Sequence, residues 1–350
     1  MPNFQFSSIT EQVAAHLGEE LRRGRWRETM PGRNQLVREL GVSGKTVELA
    51  LQLLEEEGLL VAQGVGRPRR IELPETHAAP ALRVALQDFD SPARGANMIE
   101  LAHKLEQAGH LPIFPDKTLE ELGMDVGRVS RQVMMTTADA WIVAAASREV
   151  LEWFSEYEKP AFALFGRRRR VRIAATGPDH VPPMRAAVKR LIALGHRRII
   201  LLNRADPGQT DRAQLEEMRA HGLPTGAYNF PDWEKTPAGF HRLLDELYRV
   251  TPPTALIIDQ AFLFHAAREH LAQKGILAPK DVSLICIDGD PTFDWCVPSV
   301  AHIRWDSRPW VRRIVRWANN VSRGREDLRQ TLTKAEFVDG GTIGPAPRSS

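Results

Sequence analysis

The sequence predicts two domains: a small α+β domain of the winged helix-turn-helix type, followed by a larger α/β domain of two lobes with parallel sheets. Three observations lead to this fold class. The chain has 350 residues, which is long for one average domain. Its first 73 residues carry three helical patterns and then two short apolar runs around glycines. From residue 82 onward, apolar strand-like runs alternate with helical stretches.

The composition excludes several classes of protein. It is 43% hydrophobic and 26% charged, which is ordinary for a globular chain. No apolar run approaches the roughly 18–20 residues needed to cross a bilayer, and the start MPNFQFSSIT lacks a signal-peptide pattern. We therefore expect a cytoplasmic protein without a membrane partner. Cys286 and Cys296 form neither a CxxC pair nor a disulfide framework, and the histidines lack metal-ligand spacing, so we expect no metal and no cofactor.

The first two helices follow from apolar spacing and capping residues. Ser8 and Glu11 have capping-box spacing. An apolar residue then recurs at every fourth position, at Ile9, Val13, Leu17 and Leu21. This spacing predicts an amphipathic helix that ends near Gly24. A second, short helix is predicted from about Arg33 to Leu40, and Gly41 ends it.

The third helix and the hairpin after it complete the small domain. Ser43 is placed to cap a helix that Gly58 ends. Its predicted inward stripe is Val47, Ala50, Leu51 and Leu54. Residues 59–61 and 67–73 then read as two strands around the turn at 64–66. A hairpin that directly follows a helix-turn-helix pair is a wing.

Charge is distributed unevenly in this domain. Met1–Leu73 contains ten lysines and arginines and ten acids, yet all ten cations fall between Arg22 and Arg70. The acids gather instead at Glu11–Glu20 and Glu55–Glu57. A fold that brings the two basic stretches together would present a positive face to phosphates.

The stretch MPGRNQLVRELGVSGKTVELALQLLEEEGLLVAQGVGR resembles the DNA-binding domain of the GntR family. The resemblance covers essentially all of Ile9–Leu73 and implies a homodimer on double-stranded operator DNA, with each recognition helix in the major groove and each wing near the minor groove. Carried over position by position, the family's DNA contacts fall on Arg33, Asn34, Ser43, Gly44, Lys45, Thr46, Glu48, Gln63, Gly64 and Arg67.

The sequence departs from the family pattern at Asn34, Gly44 and Glu48, where arginine is common, so base preference is not carried over. From their chemistry, the cations Lys45, Arg67 and Arg69 are expected to meet phosphates. Ser43 and Thr46 are expected to donate to phosphate oxygens. Glu48 would accept from a cytosine amino group. The alternative is that Ser43 only caps its helix and Glu48 is only solvated.

Pro74–Ala81 has no periodicity and two prolines, so we interpret residues 74–81 as a linker between domains 1–73 and 82–350. Lobe one is expected to span about 82–177 plus part of 304–335, and lobe two about 178–303 plus the C-terminal strand. The predicted strands are 82–86, 111–114, 141–145, 161–165, 171–175, 199–202, 254–258 and 282–287. Helices are predicted between most of these strands, for example at 99–108, 184–194, 214–220, 240–248, 262–273 and 310–319. Ligands of such parallel sheets sit at the carboxyl ends of the strands.

The segment DHVPPMRAAVKRLIALGHRRIILLNR resembles the LacI/GalR repressors and the related periplasmic sugar-binding proteins. The likeness continues through TALIIDQAFLFHAAREHLAQKGILAPKDVSLICIDGDP, PSVAHIRWD and EFVDGGTIGPAP. It is clear from about Asp179 onward and rests only on the strand–helix order before that. The combination with a GntR-type head is the plan of the arabinose repressors of Gram-positive bacteria. It implies that the lobes close on a small molecule, which changes the spacing of the two DNA heads.

The same resemblance places the effector contacts. Arg212 follows the first strand of lobe two, Asp259 and Asp288 follow the next two strands, and Trp305 lies on a strand that returns to lobe one. Arginine suits sugar hydroxyls or a carboxylate, and an indole stacks on the apolar face of a sugar. The opposite lip is assigned to Asp88, Phe89 and Asp90.

The expected function is a sugar-responsive repressor. Two alternatives stay open at this point. The effector of the same fold could be a purine or a corepressor, or the head could be fused to a cofactor-dependent enzyme. No nucleophile elbow, Walker loop or HExxH helix occurs in the sequence, and we expect no enzyme.

Overall fold

The computed structural model describes residues 8–22, 25–26, 28–64, 67–72, 80–90, 96–203 and 208–347. The chain forms two compact units. Unit 1 comprises Met1–Thr176 and Ser307–Thr331, and unit 2 comprises Gly177–Asp306 and Leu332–Ser350. Most of the predicted linker, and residues 65–66 of the predicted wing turn, lie outside the described residues.

The N-terminal part of unit 1 is a winged helix-turn-helix, as predicted. Its elements are α1 (Ile9–Arg22), α2 (Arg33–Leu40), α3 (Gly44–Glu56), β1 (Leu60–Val61) and β2 (Arg70–Ile71). The predicted capping box is confirmed, since the Ser8 amide donates to a Glu11 carboxylate oxygen at 2.9 Å and the Glu11 amide donates to Ser8 Oγ at 3.2 Å. The two strands pair antiparallel, with Leu60 opposite Ile71.

The small domain has its own hydrophobic core. The predicted stripe of α3 is buried and packs against Leu17 and Leu21 of α1, Leu36 of α2 and Ile71 of the hairpin. Gly41 ends α2 with a φ of 65°, a left-handed conformation that glycine adopts without strain. The three helices and the hairpin therefore hold the start of α3 in a fixed position.

The rest of unit 1 is an α/β layer structure. Its sheet has the order β4-β3-β5-β6-β7, and every neighbouring pair is parallel. The strands are β3 (Arg83–Gln87), β4 (Leu111–Ile113), β5 (Ala140–Ala144), β6 (Ala161–Leu164) and β7 (Ala174–Thr176). The helices are α4 (Ala96–Gln107), α5 (Val126–Met135), α6 (Arg148–Glu156) and α11 (Ser307–Ser322).

Unit 2 repeats this architecture. Its sheet has the order β12-β11-β10-β9-β8, parallel except for the antiparallel pair of β11 and β12. The strands are β8 (Ile199–Leu202), β9 (Ala255–Ile258), β10 (Ser283–Cys286), β11 (Ala301–Trp305) and β12 (Ala335–Val338). The helices are α7 (Val181–Ala193), α8 (Gln209–Ala220), α9 (Pro237–Val250) and α10 (Ala261–Gln273). Short 3-10 helices lie at Ala227–Asn229 and Pro291–Trp295.

The predicted elements are present with shifted ends, and three points differ. The helices α5 and α6 lie between predicted strands, but no bounds were predicted for them. The fifth strand lies at Ala174–Thr176 rather than 171–175. Val171 and Ile173 precede this strand, outside regular structure, and their side chains are buried in the core. The strand that carries Trp305 was expected to return to lobe one, yet it pairs with β10 and β12 inside unit 2. The chain re-enters unit 1 only from Ser307 to Thr331.

A buried ion pair organises that returning segment. Arg313 of α11 donates to both carboxylate oxygens of Asp327, at 2.8 and 3.1 Å, and both side chains are almost fully buried. The guanidinium also lies 5.2 Å from the centroid of the Phe162 ring. Hydrogen bonds from Asn320 and from the Arg329 amide satisfy the same carboxylate.

Within the part of the chain that the structure describes, no helix is long and apolar enough to span a membrane.

Candidate functional site

The starts of α2 and α3 form one exposed surface. A Cβ on Gly44 would lie 3.9 Å from the Arg33 side chain, so the two helix N-termini meet there. Arg33, Asn34, Ser43 and Lys45 are exposed, whereas Gly44, Thr46 and Glu48 are partly buried. Two helix N-termini with adjacent cations attract phosphate, because the unpaired amides and the helix dipole both favour an anion.

Ser43 has a structural role in this surface. Its Oγ accepts a hydrogen bond from the Thr46 amide at 3.1 Å, which caps α3, and it lies 2.8 Å from Thr46 Oγ1. The cap fixes the first turn of α3 and leaves both hydroxyls at the surface or close to it. The interpretation of Ser43 as a cap and its interpretation as a phosphate contact are therefore compatible.

Arg69 is held inside the small domain. Its Nη2 donates to Glu48 Oε1 at 2.6 Å, and its Nε donates to Glu55 Oε1. Partial burial lowers the pKa of Arg69, but the hydrogen bonds to both glutamates outweigh this and raise it. From the sequence, Arg69 was expected to meet a phosphate and Glu48 a base. The structure pairs them with each other, so they tie the hairpin to α3.

The wing residues outside this clamp stay at the surface. Gln63, Gly64 and Arg67 are exposed. Among the described residues, Arg33, Lys45 and Arg67 form no ion pair with an acidic side chain. These three cations are therefore not neutralised by neighbouring carboxylates.

In unit 2, the carboxyl ends of the strands carry a second group of polar residues. Leu202, Ile258 and Cys286 are aligned across β8, β9 and β10. The next residues along the chain therefore meet at one edge, with Asp259 after β9 and Asp288 two residues after β10. Gly289 packs against the backbone of Arg304 and Trp305 at the end of β11. Asp259, Asp288 and Trp305, which were predicted as effector contacts, thus lie along the same sheet edge.

The pKa of Asp288 is strongly perturbed. Burial raises the pKa of Asp288 to about 6, and the neighbouring carboxylate of Asp290 acts in the same direction. The Gly289 amide, which donates to Asp288 Oδ1 at 2.9 Å, and the Trp305 side chain lower the pKa but do not compensate. Among the described residues, no arginine or lysine contributes to this shift of the pKa. A partly desolvated carboxylate of this kind suits a ligand that donates hydrogen bonds.

The same edge carries two residues that sequence patterns did not place there. Trp233 Nε1 and Lys235 Nζ both donate to the Asn203 carbonyl, at 3.1 and 3.2 Å, directly after β8. Lys235 Nζ lies 4.4 Å above the Trp233 ring. The local pattern PDWEKT does not indicate that Trp233 and Lys235 lie at this sheet edge. The tertiary fold of the 231–236 loop brings them to the end of β8.

Arg212 is exposed on the first turn of α8, while its neighbour Asp211 is buried. Asp211 accepts hydrogen bonds from the Gly208 amide and from Asn203 Nδ2, the latter at 3.1 Å. This links the end of β8 to the start of α8. The position of Arg212 beside that edge is therefore fixed by its neighbour, although residues 204–207 are outside the described part.

The corresponding edge of unit 1 is more closely integrated into the core. Phe89 packs against the buried cluster of the unit. The carbonyls of Asp88 and Phe89 accept from the amides of Leu119 and Glu120, each at 2.9 Å, which fixes this segment. Asp90 is partly buried, and residues 91–95 lie outside the described range. Phe89 is thus a packing residue here, which leaves Asp88 and Asp90 as the polar side chains of this edge.

The carboxyl ends of the next two strands carry backbone strain. Ala145 after β5 and Phe165 after β6 have φ values of 51° and 60°, which side chains rarely adopt. Strained backbone of this kind clusters at ligand sites, because it costs free energy and persists only where the surrounding structure holds it in place. The described residues contain no cluster of three or more histidine, cysteine or acidic side chains that could hold a metal ion.

Comparison with known proteins agrees with both halves of this description. Residues 9–67 match the family model of bacterial regulatory proteins, gntR family, and residues 188–343 match that of the periplasmic binding protein-like domain. A search among curated proteins finds no match.

Three solved structures share the fold of the larger domain. A LacI family transcriptional regulator from Mycobacterium smegmatis is 20% identical, with a TM-score of 0.62 over 75% of this chain and 99% of that one. A putative transcriptional regulator from Yersinia pestis is 24% identical, with a TM-score of 0.61 over 76% and 99%. A LacI family regulator from Enterococcus faecium, solved with bound ribose, is 14% identical, with a TM-score of 0.60 over 75% and 99%.

The chain is thus a transcriptional regulator with a DNA-binding head and a ligand-binding domain. Its head is of the GntR type, and the larger domain has the periplasmic-binding-protein-like fold of the LacI regulators, as the two sequence resemblances predicted.

We expect Asp288→Asn to raise the melting temperature of the ligand-free protein at about pH 8 and to leave it unchanged at about pH 4. Burial raises the pKa of Asp288 to about 6, above its unfolded value near 4. The ionised carboxylate therefore costs the folded state about 2–3 kcal/mol once the pH exceeds 6, and nothing below 4. Thermal unfolding at both pH values measures this. Asp294→Asn, at an exposed position nearby, is the matched control, and an equal effect of both substitutions would contradict the prediction.

Proposed function

We propose that the protein is a sugar-responsive repressor of carbohydrate-utilisation genes, which binds operator DNA as a homodimer. The observation that carries the proposal is the sheet edge of unit 2, where Asp259, Asp288 and Trp305 lie together on a periplasmic-binding-protein-like fold. Carboxylates accept from vicinal hydroxyls, and an indole stacks on the apolar face of a sugar ring. The bound ribose in the Enterococcus faecium relative supports a ligand of this class.

The DNA surface in this proposal is the start of α2, the start of α3 and the tip of the hairpin. Arg33, Lys45 and Arg67 meet phosphates, and Ser43 and Thr46 donate to phosphate oxygens. Asn34, Gly44, Gln63 and Gly64 complete the contact surface. Glu48 and Arg69 form an ion pair that joins the hairpin to α3, and both stay candidate DNA contacts from the sequence.

The effector in this proposal binds at the sheet edge of unit 2, with Arg212, Trp233 and Lys235 beside it. Asp88, Phe89 and Asp90 of unit 1 stay candidates from the sequence resemblance. If the effector prefers one DNA-binding state over the other by about 1–3 kcal/mol, operator affinity changes by roughly 5–150-fold. A purine or a corepressor fits the same aromatic and polar groups and is therefore tested alongside the sugars.

We expect Lys45→Gln and Arg67→Gln each to weaken DNA binding about equally on all sequences. Each should also reduce the slope of log affinity against log salt by about 1, because each removes one phosphate contact. Fluorescence anisotropy with a duplex from the region upstream of the gene, at several salt concentrations, measures both quantities. Arg131→Gln, on α5 of the same unit, is the control. Absence of binding by the unaltered protein at low salt would refute the DNA surface.

For the effector, we expect a thermal-shift screen of pentoses, hexoses, uronic acids and nucleobases to identify one class that stabilises the protein. A ligand at 100 times its dissociation constant adds about 2.7 kcal/mol to the stability of the folded state. Asp288→Asn should lower the affinity for that ligand by about tenfold or more, since a charge-assisted hydrogen bond is lost. Binding by the unaltered protein should also weaken below pH 6, where the Asp288 carboxylate becomes protonated. If only nucleobases stabilised the protein, the proposal of a sugar effector would be wrong and a purine-type effector would take its place.

The homodimer is supported by an exposed apolar patch on unit 2. Trp295 is 88% exposed and Val297 92%, and Phe262 on α10 is 55% exposed. The Pro291–Trp295 helix is held beside α10 by packing of Phe293 on Phe264 and by His265 Nε2 at 3.2 Å from Thr292 Oγ1. A protein with two recognition helices for two half-sites needs a second copy, and an exposed tryptophan patch is suited to bury against one.

We expect Trp295→Ser to raise the dissociation constant of the dimer by at least about tenfold, since buried tryptophans carry much of the binding energy of interfaces. Sedimentation velocity over a concentration series measures this. Leu277→Ser, at a 47% exposed position of the same unit, should leave the dimer unchanged. A dimer that resists the Trp295 substitution would place the interface elsewhere.

A further inference from the structure

Unit 1 contains a cleft of about 1480 Å³ between the head and the segment that returns from unit 2. One wall is the C-terminal end of α3 with Gly58 and the hairpin. The other wall is α11 with residues 323–329, and α4 contributes Lys104 and Ala108. Two ion pairs join α11 to the head, with Arg308 Nη1 at 2.8 Å from Glu11 Oε1 of α1 and Arg312 Nη2 at 3.9 Å from Glu56 Oε2 of α3.

Most acidic side chains of the cleft already have a cationic partner. Glu55 pairs with Arg69, and Glu72 pairs with Arg70. Glu100 accepts from Ser307 Oγ at 2.8 Å. Asp327 accepts from Arg313 and Arg329, and Glu326 lies 3.8 Å from Arg172. Glu57 also has an interaction.

Three arginines of the α11 wall remain. Among the described residues, no carboxylate forms an ion pair with Arg316, Arg323 or Arg325, and all three line the cleft. Arg316 is partly buried, and its Nε has no hydrogen-bond partner. One wall of the cleft therefore carries three arginines that pair with no carboxylate of the described residues.

Arg316 occupies a position that its own neighbours disfavour. Burial, together with the nearby guanidinium groups of Arg329 and Arg313, lowers the pKa of Arg316 to about 10, against the opposing charges of Glu56 and Asp327. Its side chain passes beside Gly58, at the end of α3. An anion beside Arg316 would supply the missing counter-charge and would touch the head and α11 together.

We propose that this cleft is a second small-molecule site, which takes an anion of the phosphate-ester or diphosphate class through Arg316, Arg323 and Arg325. Guanidinium groups bind phosphate oxygens through paired, charge-assisted hydrogen bonds, and a cleft of this size holds more than one phosphate. The bound anion adds a bridge to the Arg308–Glu11 and Arg312–Glu56 pairs and thereby stabilises the position of the head on α11. This site is distinct from the sugar edge of unit 2 and from the DNA surface.

The test uses sodium pyrophosphate as the probe and the full-length protein. Isothermal titration calorimetry at constant ionic strength should give binding to the unaltered protein, and thermal unfolding should show stabilisation. Arg316→Gln should lower the affinity for pyrophosphate by about tenfold or more, while Arg316→Lys, which keeps the charge, should lower it less. Arg131→Gln on α5 should bind pyrophosphate like the unaltered protein.

Two further measurements distinguish the cleft from the DNA surface and from a general loss of folding. The double variant Lys45→Gln/Arg67→Gln removes phosphate contacts of the DNA surface, and it should keep pyrophosphate binding if the cleft is the site. Arg316→Gln should unfold at the same temperature as the unaltered protein or higher without pyrophosphate, because it removes a buried charge that lacks a counter-ion. Undiminished binding by Arg316→Gln, loss of binding in the double variant, or no binding by the unaltered protein would each overturn the proposal.

Discussion

The Arg313–Asp327 ion pair fixes the segment that closes unit 1, and much of the charge arrangement around it follows. Removing one partner of such a buried pair typically costs about 3–5 kcal/mol, because the other charge is left desolvated. The pair holds residues 327–331, whose backbone joins β7 through the Ala175 amide and carbonyl. It also takes up the carboxylate of Asp327 and so leaves Arg316 without it. Internal pairing therefore decides which arginines of unit 1 remain to meet an anion.

The same rule separates the cations of the head. Arg69 is neutralised by Glu48 and Glu55, whereas Lys45 and Arg67 have no such neighbours among the described residues. In unit 2 the situation is reversed, since burial and the carboxylate of Asp290 both raise the pKa of Asp288. Each proposed site is thus a place where the fold leaves a charge uncompensated, and each calls for a ligand of the opposite character or one rich in hydrogen-bond donors.

Local patterns sufficed to predict the head and much of the larger fold. The capping box at Ser8, the stripe of α3 and the glycines that end helices act within a few residues, so their spacing in the sequence is enough. No bounds were predicted for helices α5 and α6, although their buried apolar residues follow helical spacing. Pairings across the fold were not accessible either: Arg69 reaches Glu48 from 21 residues away, and Trp233 reaches Asn203 from 30. Side chains that meet only through tertiary structure leave no mark in the spacing of one segment.

The recognition helix α3 links the proposed DNA surface to the proposed anion site. Its N-terminal turn, with Ser43, Lys45 and Thr46, faces the duplex in our proposal, and its C-terminal end at Glu56 and Gly58 meets Arg312 and Arg316 of α11. A helix is stiff over 13 residues, so a change at one end moves the other. Linkage requires reciprocity: an anion that alters operator affinity by some factor has its own affinity altered by DNA by the same factor. Since the sugar edge belongs to unit 2, the two effectors would reach α3 by different routes, and their effects on operator binding would add unless those routes share a contact.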